Sequence, residues 1–155
     1  MKARGNGKLA LNVLVAEDNP NDVVLLERAL PRNDLEIHLR HVQDGTEVID
    51  YLQGIGHFAN RAAFPMPDVI LLDLKMPKLS GFDVLHWMRD NNDCGQIPTV
   101  LFSGSGLEKD VEKAYALGAN TYFEKPTSYA EFARLLKILL EYWARSKRPA
   151  APHSC

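Results

Sequence analysis

The run Val69-Ile70-Leu71-Leu72-Asp73-Leu74-Lys75-Met76-Pro77 decides how this chain folds. Four apolar residues lead directly into one carboxylate, and a proline follows. A short unbroken apolar run, rich in leucine and β-branched side chains, is a strand covered on both faces, because a strand with one wet face alternates. Asp73 stands where that strand ends. In open α/β sheets, ligands gather outside the carboxyl ends of the strands. A carboxylate delivered there is partly stripped of water and is a chemical site. The same residue is equally suited to capping the following turn, and Asp73 alone leaves both readings open.

Outward from this run the pattern repeats. Residues 11–16 form a strand ending in Glu17-Asp18, and Asn19-Pro20 starts a helix over 21–30 with Val23, Leu26 and Leu30 on one face. Residues 31–34 break it. Residues 36–42 alternate, with Ile37 and Leu39 inward, as in a half-exposed strand near an edge. Asp44-Gly45 turns into a helix over 46–53. The connection 54–67, with His57, Phe58, Phe64, Pro65 and Pro67, is longer than usual and implies a task or partial structure of its own. After the Asp73 strand come a helix over 82–90, a polar loop over 91–96, and a strand over 98–102 that runs into Ser103-Gly104-Ser105-Gly106. A helix over 107–117 stops at Gly118, and a strand over 120–124 precedes Lys125-Pro126. The last helix, 128–145, carries the stripe Phe132, Leu135, Leu136, Leu139 and Trp143. Strand and helix alternate five times. That is an α/β protein, a doubly wound five-stranded parallel sheet with five helices and right-handed crossovers.

Composition sets the outer limits. A chain of 155 residues, 46% hydrophobic and 25% charged, is one globular domain able to bury a core without staples. The net charge of -2 gives no reason to expect nucleic acid or a membrane surface as partner. No apolar run is long enough to span a bilayer, and the N-terminus has no secretory pattern. Cys94 and Cys155 have no metal-ligand spacing. No disulfide is expected of them, as suits a reducing cytoplasm. Residues 1–10 read as a flexible tail, 11–145 as the domain, and 146–155 as a disordered Pro/Ala tail.

In a parallel sheet all strands point the same way, so their ends share one rim. The first strand delivers Glu17 and Asp18, the third Asp73, the fourth Ser103 and the fifth Lys125. Three carboxylates on one rim repel one another, and a cation relieves that. Oxygen ligands without Cys or His select a hard ion, and this set suits Mg²⁺ better than a Ca²⁺ cage. An ammonium and a hydroxyl beside such a metal and a carboxylate nucleophile make a phosphoryl-transfer site.

These motifs together resemble the receiver domain of two-component response regulators. The resemblance covers about residues 12–145. It rests on Glu17-Asp18, on Asp73-Leu74-Lys75-Met76-Pro77 with Gly81 beyond it, on Ser103, and on Tyr122-Phe123-Glu124-Lys125-Pro126. It implies a flavodoxin-like sheet with strand order 2-1-3-4-5 and no enzymatic role beyond the protein's own phosphorylation and dephosphorylation. By the same resemblance Asp73 is the phosphoacceptor. Glu17, Asp18, Asp73 and the backbone carbonyl of Lys75 hold Mg²⁺, with Mn²⁺ as a substitute. Ser103 and Lys125 bind the phosphoryl group, Ser103 and Tyr122 form the switch, and the Lys125–Pro126 bond is cis. The implied partner is a histidine kinase. The implied output is the face made by the fourth helix, fifth strand and fifth helix.

A closer resemblance is to stand-alone regulators paired with bacterial phytochromes. It rests on Glu17-Asp18-Asn19-Pro20-Asn21-Asp22, the long 54–67 loop and the Glu141-Tyr142-Trp143 end of the last helix. It implies a homodimer built on that helix and the fifth strand, and it allows a histidine phosphotransfer protein as a further partner. The 91–97 loop and the Phe102-Ser103-Gly104 step depart from the subgroup. Tyr122 also suits a core aromatic, and Tyr142 and Trp143 suit either the domain's own core or a partner's surface. Two other functions compete. An aspartyl phosphatase needs a second Asp two residues after the first, where this chain has Lys75. A phosphorylation-independent binding or dimerisation module would lack Asp73 or Lys125. A nucleotide site would need a Gly-rich loop where Glu17-Asp18 stands.

Overall fold

The alternation of buried strand and amphipathic helix builds one parallel sheet. The computed structural model describes residues 9–31, 34–91 and 93–155. Its strands are β1 (Leu9–Ala16), β2 (Leu35–Val42), β3 (Val69–Asp73), β4 (Thr99–Ser103) and β5 (Thr121–Glu124), in the order β2-β1-β3-β4-β5. The helices are α1 (Pro20–Ala29), α2 (Gly45–Gln53), α3 (Gly81–Asp90), α4 (Glu108–Ala116) and α5 (Tyr129–Arg145), with a short 3₁₀ turn at Gly56–Phe58. Both the strand order and the five helices are those expected. The tail expected over 1–10 lies outside the described residues for 1–8, and Leu9 and Ala10 already belong to β1.

The sheet separates two cores. Along β1, Leu11, Val13 and Val15 pack toward α1 and α5, while Leu14 and Ala16 pack toward α2, α3 and α4. In β3, Val69 and Leu71 take the first side and Ile70 and Leu72 the second. Successive side chains of a strand point to opposite faces, so a strand with helices on both sides must be apolar throughout. Every residue of β3 and β4 is buried. The edge strands β2 and β5 are only half covered, in keeping with the alternation in 36–42.

Polar side chains cap four of the five helices, α4 being the exception. Asn19 Oδ1 accepts from the Asn21 amide at 3.0 Å, with Pro20 as the first helical residue of α1. Asp44 caps α2, Ser80 and Asp83 form a capping box on α3, and Ser128 caps α5. Gly81 has a second reason to be glycine. A Cβ there would lie 2.7 Å from Asp73 O, so only glycine lets α3 begin pressed against the end of β3.

The 54–67 connection is folded. Gly54, at φ 68, closes α2 in the left-handed conformation. The Arg61 guanidinium donates to the carbonyls of Tyr51, Leu52 and Phe64 at 2.7, 2.9 and 3.3 Å. It thereby adds a charged donor to two carbonyls in the last turn of α2, Tyr51 and Leu52. Phe58 and Phe64 pack on the Tyr51 ring, whose hydroxyl donates to Pro65 O at 2.8 Å.

Two expectations need correction, the cis bond at Lys125–Pro126 and the unpaired cysteines. The Lys125–Pro126 bond is trans, since no described peptide bond is cis. The intrinsic trans preference of an X–Pro amide, about 0.5–1 kcal/mol, prevails there. Residues 146–155, expected as a tail, form no helix or strand and lie against the domain. Arg148 pairs with Asp68 at 3.5 Å, the Cys155 amide donates to Leu52 O at 3.0 Å, and Arg61 Nε donates to His153 O at 3.0 Å. Cys155 is bonded to Cys94, against the expectation of no disulfide. The segment's own composition cannot fold it. The elements it lies on are distant in sequence. Among the described residues no helix is long and apolar enough to cross a membrane.

Leu72→Ala, which empties a fully buried site in the α2–α4 core, should destabilise the domain by roughly 2–5 kcal/mol. Urea denaturation checks this through a lower midpoint at unchanged slope. An unchanged midpoint would contradict the two-core packing.

Candidate functional site

The strand ends bring together the residues expected at one rim. Glu17 follows β1 and is 6% exposed, and Asp73 ends β3 and is 8% exposed. Asp18 stands beside them in solvent. Ligand oxygens of these three carboxylates lie within 4.8 Å of one another. Ser103 is fully buried at the end of β4, one residue beyond Phe102, the register partner of Asp73. The Lys75 side chain points to solvent, and its amide donates to Asp73 Oδ1 at 3.3 Å.

Lys125 crosses the rim from β5. Its Nζ lies 2.7 Å from Glu17 Oε2, 3.1 Å from Asp22 Oδ2 and 3.4 Å from Asp73 Oδ2. Its amide donates to Ser103 O at 2.7 Å, which binds the ends of β4 and β5 together. Burial pushes the Glu17 carboxyl up to about 7; the hydrogen bond from Lys125 opposes this and the charge of Asp73 adds to it. Burial disfavours the Lys125 ammonium, but the hydrogen bond to Glu17 and the charges of Asp73 and Glu17 outweigh it and hold Lys125 above the usual lysine range.

The donor set fits a hard divalent cation. It is all oxygen, with two buried carboxylates and one exposed. A cation there would offset the burial and the charge of Asp73 that raise the Glu17 carboxyl.

Tyr122 is half-buried on the α2–α4 side. Its hydroxyl donates to Ser105 O at 2.7 Å, so it grips the loop that leaves Ser103. The Ser105 amide donates to Ser103 Oγ at 3.1 Å, and Ser105 Oγ donates to Asp110 in α4 at 2.6 Å. One short chain of contacts therefore runs from Ser103 to both Tyr122 and α4. At the far end of α5, Trp143 is half-buried against the α1–α5 core while Tyr142 is 63% exposed. The core reading holds for Trp143, and Tyr142 lies outside that core.

Sequence reasoning missed Asp22 and His41. Asp22 enters the sequence reading only within the motif shared with the phytochrome-paired regulators and with no role of its own, yet the first turn of α1 leaves the rim directly and aims this carboxylate at Lys125. Its place four residues after Asp18 was the available signal. His41 Nε2–H donates to Glu17 O at 2.7 Å and steadies that backbone. Only the pairing of β2 with β1 reveals it.

A family profile described as "Response regulator receiver domain" matches residues 13–137. Response regulator Rcp1 of Synechocystis is 30% identical over 131 residues, 84% of this chain and 87% of Rcp1. The probable methanogenesis regulatory protein FilR2 of Methanothrix harundinacea is 30% identical over 140 residues, 90% of this chain and 88% of FilR2. The phosphorylated cyanobacterial phytochrome response regulator RcpA superposes with a TM-score of 0.84 at 31% identity, covering 91% of this chain and 99% of RcpA. The Mn²⁺-bound form of Rcp1 superposes at 0.81, covering 90% of this chain and 99% of Rcp1.

Because Glu17 must lose its proton to ligate a metal, Mg²⁺ affinity should rise by roughly tenfold from about pH 6 to about pH 8. Glu17→Gln should flatten that profile. Isothermal titration at several pH values measures both, and a pH-independent affinity in the unaltered protein would contradict the desolvated Glu17.

Proposed function

Because the chain belongs to the response regulator receiver family, we propose that Asp73 takes a phosphoryl group from the phosphohistidine of a partner kinase and that the α4-β5-α5 face passes the signal on. The observation that supports this most is Lys125 Nζ drawn to Glu17, Asp22 and Asp73 at one rim. A phosphoryl group arriving on Asp73 brings more negative charge to an ammonium already in position.

In this reading an Asp73 oxygen attacks phosphorus in line with the P–N bond. That bond breaks, the phosphoryl passes to the carboxylate, and the imidazole leaves, taking up a proton. Glu17, Asp18, Asp73 and the backbone carbonyl of Lys75 would hold Mg²⁺, or Mn²⁺ in its place, and the cation supplies charge neutralisation for the phosphoryl oxygens. Lys125 turns from Glu17 and Asp22 to a phosphoryl oxygen. Ser103 donates its hydroxyl to another, which loosens its hold on the Ser105 amide.

The switch follows from the same contacts. The acyl phosphate carries about -1.5 to -2 charges where one stood. Moving Ser103 pulls on Ser105, and Ser105 is held by Tyr122 and by Asp110 of α4. Tyr122 and α4 then settle into a second arrangement. Couplings of this kind are about 1–3 kcal/mol, so the output is a shift in population.

A histidine kinase is the general partner of this family. We infer one of phytochrome type, since Rcp1 and RcpA are relatives at 30% and 31% identity and RcpA is a phytochrome response regulator. We also infer a homodimer through β5 and α5. Supporting it are the apolar groove lined by Phe123, Leu135, Ile138, Tyr142 and Trp143, the 61% exposure of Ile138, and the buried Trp143 Nε1, which has no hydrogen-bond partner. We assign the protein to the cytoplasm, where phosphohistidine donors act.

Asp73→Asn should abolish labelling by acetyl phosphate in Mg²⁺; labelling kept at the unaltered level would overturn the acceptor assignment. Trp143→Ala should weaken self-association by roughly tenfold or more. Sedimentation velocity measures this, and a protein monomeric at every concentration would remove the dimer.

A further inference from the structure

We propose that Cys94 and Cys155 form a thiol–disulfide exchange site that fastens residues 146–155 across the edge of the sheet opposite Asp73, with a small-molecule disulfide as oxidant. Neither cysteine has a part in the rim chemistry.

The two residues are 61 apart in sequence, yet their Cα atoms lie 5.6 Å apart, inside the range of about 4.4–6.8 Å that a disulfide spans. Contacts that involve no sulfur bring them together. Arg148 meets Asp68, the residue before β3, at 3.5 Å. Arg61 Nε, from the folded 54–67 lobe, donates to His153 O at 3.0 Å. The Cys155 amide donates to Leu52 O near the end of α2 at 3.0 Å. These anchors come from three separate parts of the chain. They bring Cys155 over Cys94, which is fully buried in the α2–α4 core.

Topology sets the place. Asp68 precedes β3 and Cys94 precedes β4, so both stand where the strands start. Asp73 stands where β3 finishes. The bond closes a ring that contains β4, α4, β5 and α5, and it ties the chain beyond α5 to the opposite core.

The chemistry balances. Cys155 is the more exposed sulfur, and its thiolate attacks one sulfur of the small-molecule disulfide; one thiolate leaves. The Cys94 thiolate then attacks the Cys155 sulfur, and the second thiolate leaves. Two protein thiols lose two protons and two electrons, and one small disulfide becomes two thiols. Excess reduced thiol reverses both steps and frees the segment.

The test uses the full chain equilibrated in glutathione buffers, then unfolded in urea with iodoacetamide and weighed. In oxidised glutathione neither cysteine should be alkylated and the mass should fall by two hydrogens; in dithiothreitol both should be alkylated. Trypsin cutting after Lys147 should release the 148–155 peptide only from the reduced protein. The oxidised protein should melt roughly 5–15 °C above Cys155→Ser. Asp68→Ala, which removes one anchor outside the sulfurs, should raise severalfold the oxidised glutathione needed for half-closure. Two alkylated cysteines in oxidised glutathione, or glutathione held on Cys155 with no bond to Cys94, would overturn the site. Closure unaffected by Asp68→Ala would overturn the docking that directs it.

Discussion

One ammonium among several carboxylates at the finishing edge of the sheet governs this molecule. Glu17 and Asp73 are both nearly dry, and Lys125 touches both. Removing two carboxylates from water side by side is costly, and a single lysine offsets part of that cost through short contacts to each. The offset is incomplete, because Glu17 remains pushed up to about 7 by its burial. A rim left short of positive charge has affinity for a cation, and a rim whose one ammonium is shared among three acceptors can redirect it. Such an imbalance suits both a hard cation and the phosphoryl group proposed for Asp73.

The buried strand makes that imbalance persistent. Leu71 and Leu72 lock β3 from opposite sides, and Gly81 lets α3 press against its end. Asp73 therefore has little freedom to swing into water and relieve the repulsion. The loop after β4 hangs on side-chain contacts, the Ser103–Ser105 and Ser105–Asp110 hydrogen bonds and the Tyr122 hydroxyl. Under the proposed phosphorylation, rigidity at Asp73 and adjustable contacts beside it would be complementary. A charge change at Asp73 would then act on the Ser103–Ser105 loop, which is tied to α4 and Tyr122.

How much of this was legible depends on how local each cause is. Strands β1, β3 and β4 and the helices announce themselves through apolar runs, stripes and capping residues such as Asn19 and Ser80, all read within a few residues. The rim residues were legible because parallel strands share a direction, so each strand's last residue is placed by topology alone. Asp22 and His41 were not, because each acts through a contact that only the third dimension supplies. The 146–155 segment was hidden for the same reason. Its Pro/Ala composition describes a chain unable to fold by itself, and its contacts are with the distant Asp68, Leu52 and Arg61.

The doubly wound sheet keeps its two edges chemically independent. Strands deliver charge to one edge, where carboxylates gather, and begin at the other, where loops and the chain beyond α5 meet. A covalent bond at the starting edge leaves the carboxylate rim untouched, because four or five buried strand residues lie between them. The two edges still share α5, which leaves the rim after Lys125 and ends where residue 146 begins its passage to Cys94. A rigid helix transmits a restraint from one end to the other far better than a loop does. Phosphorylation and thiol oxidation would thus bear on opposite ends of one helix, each by its own chemistry.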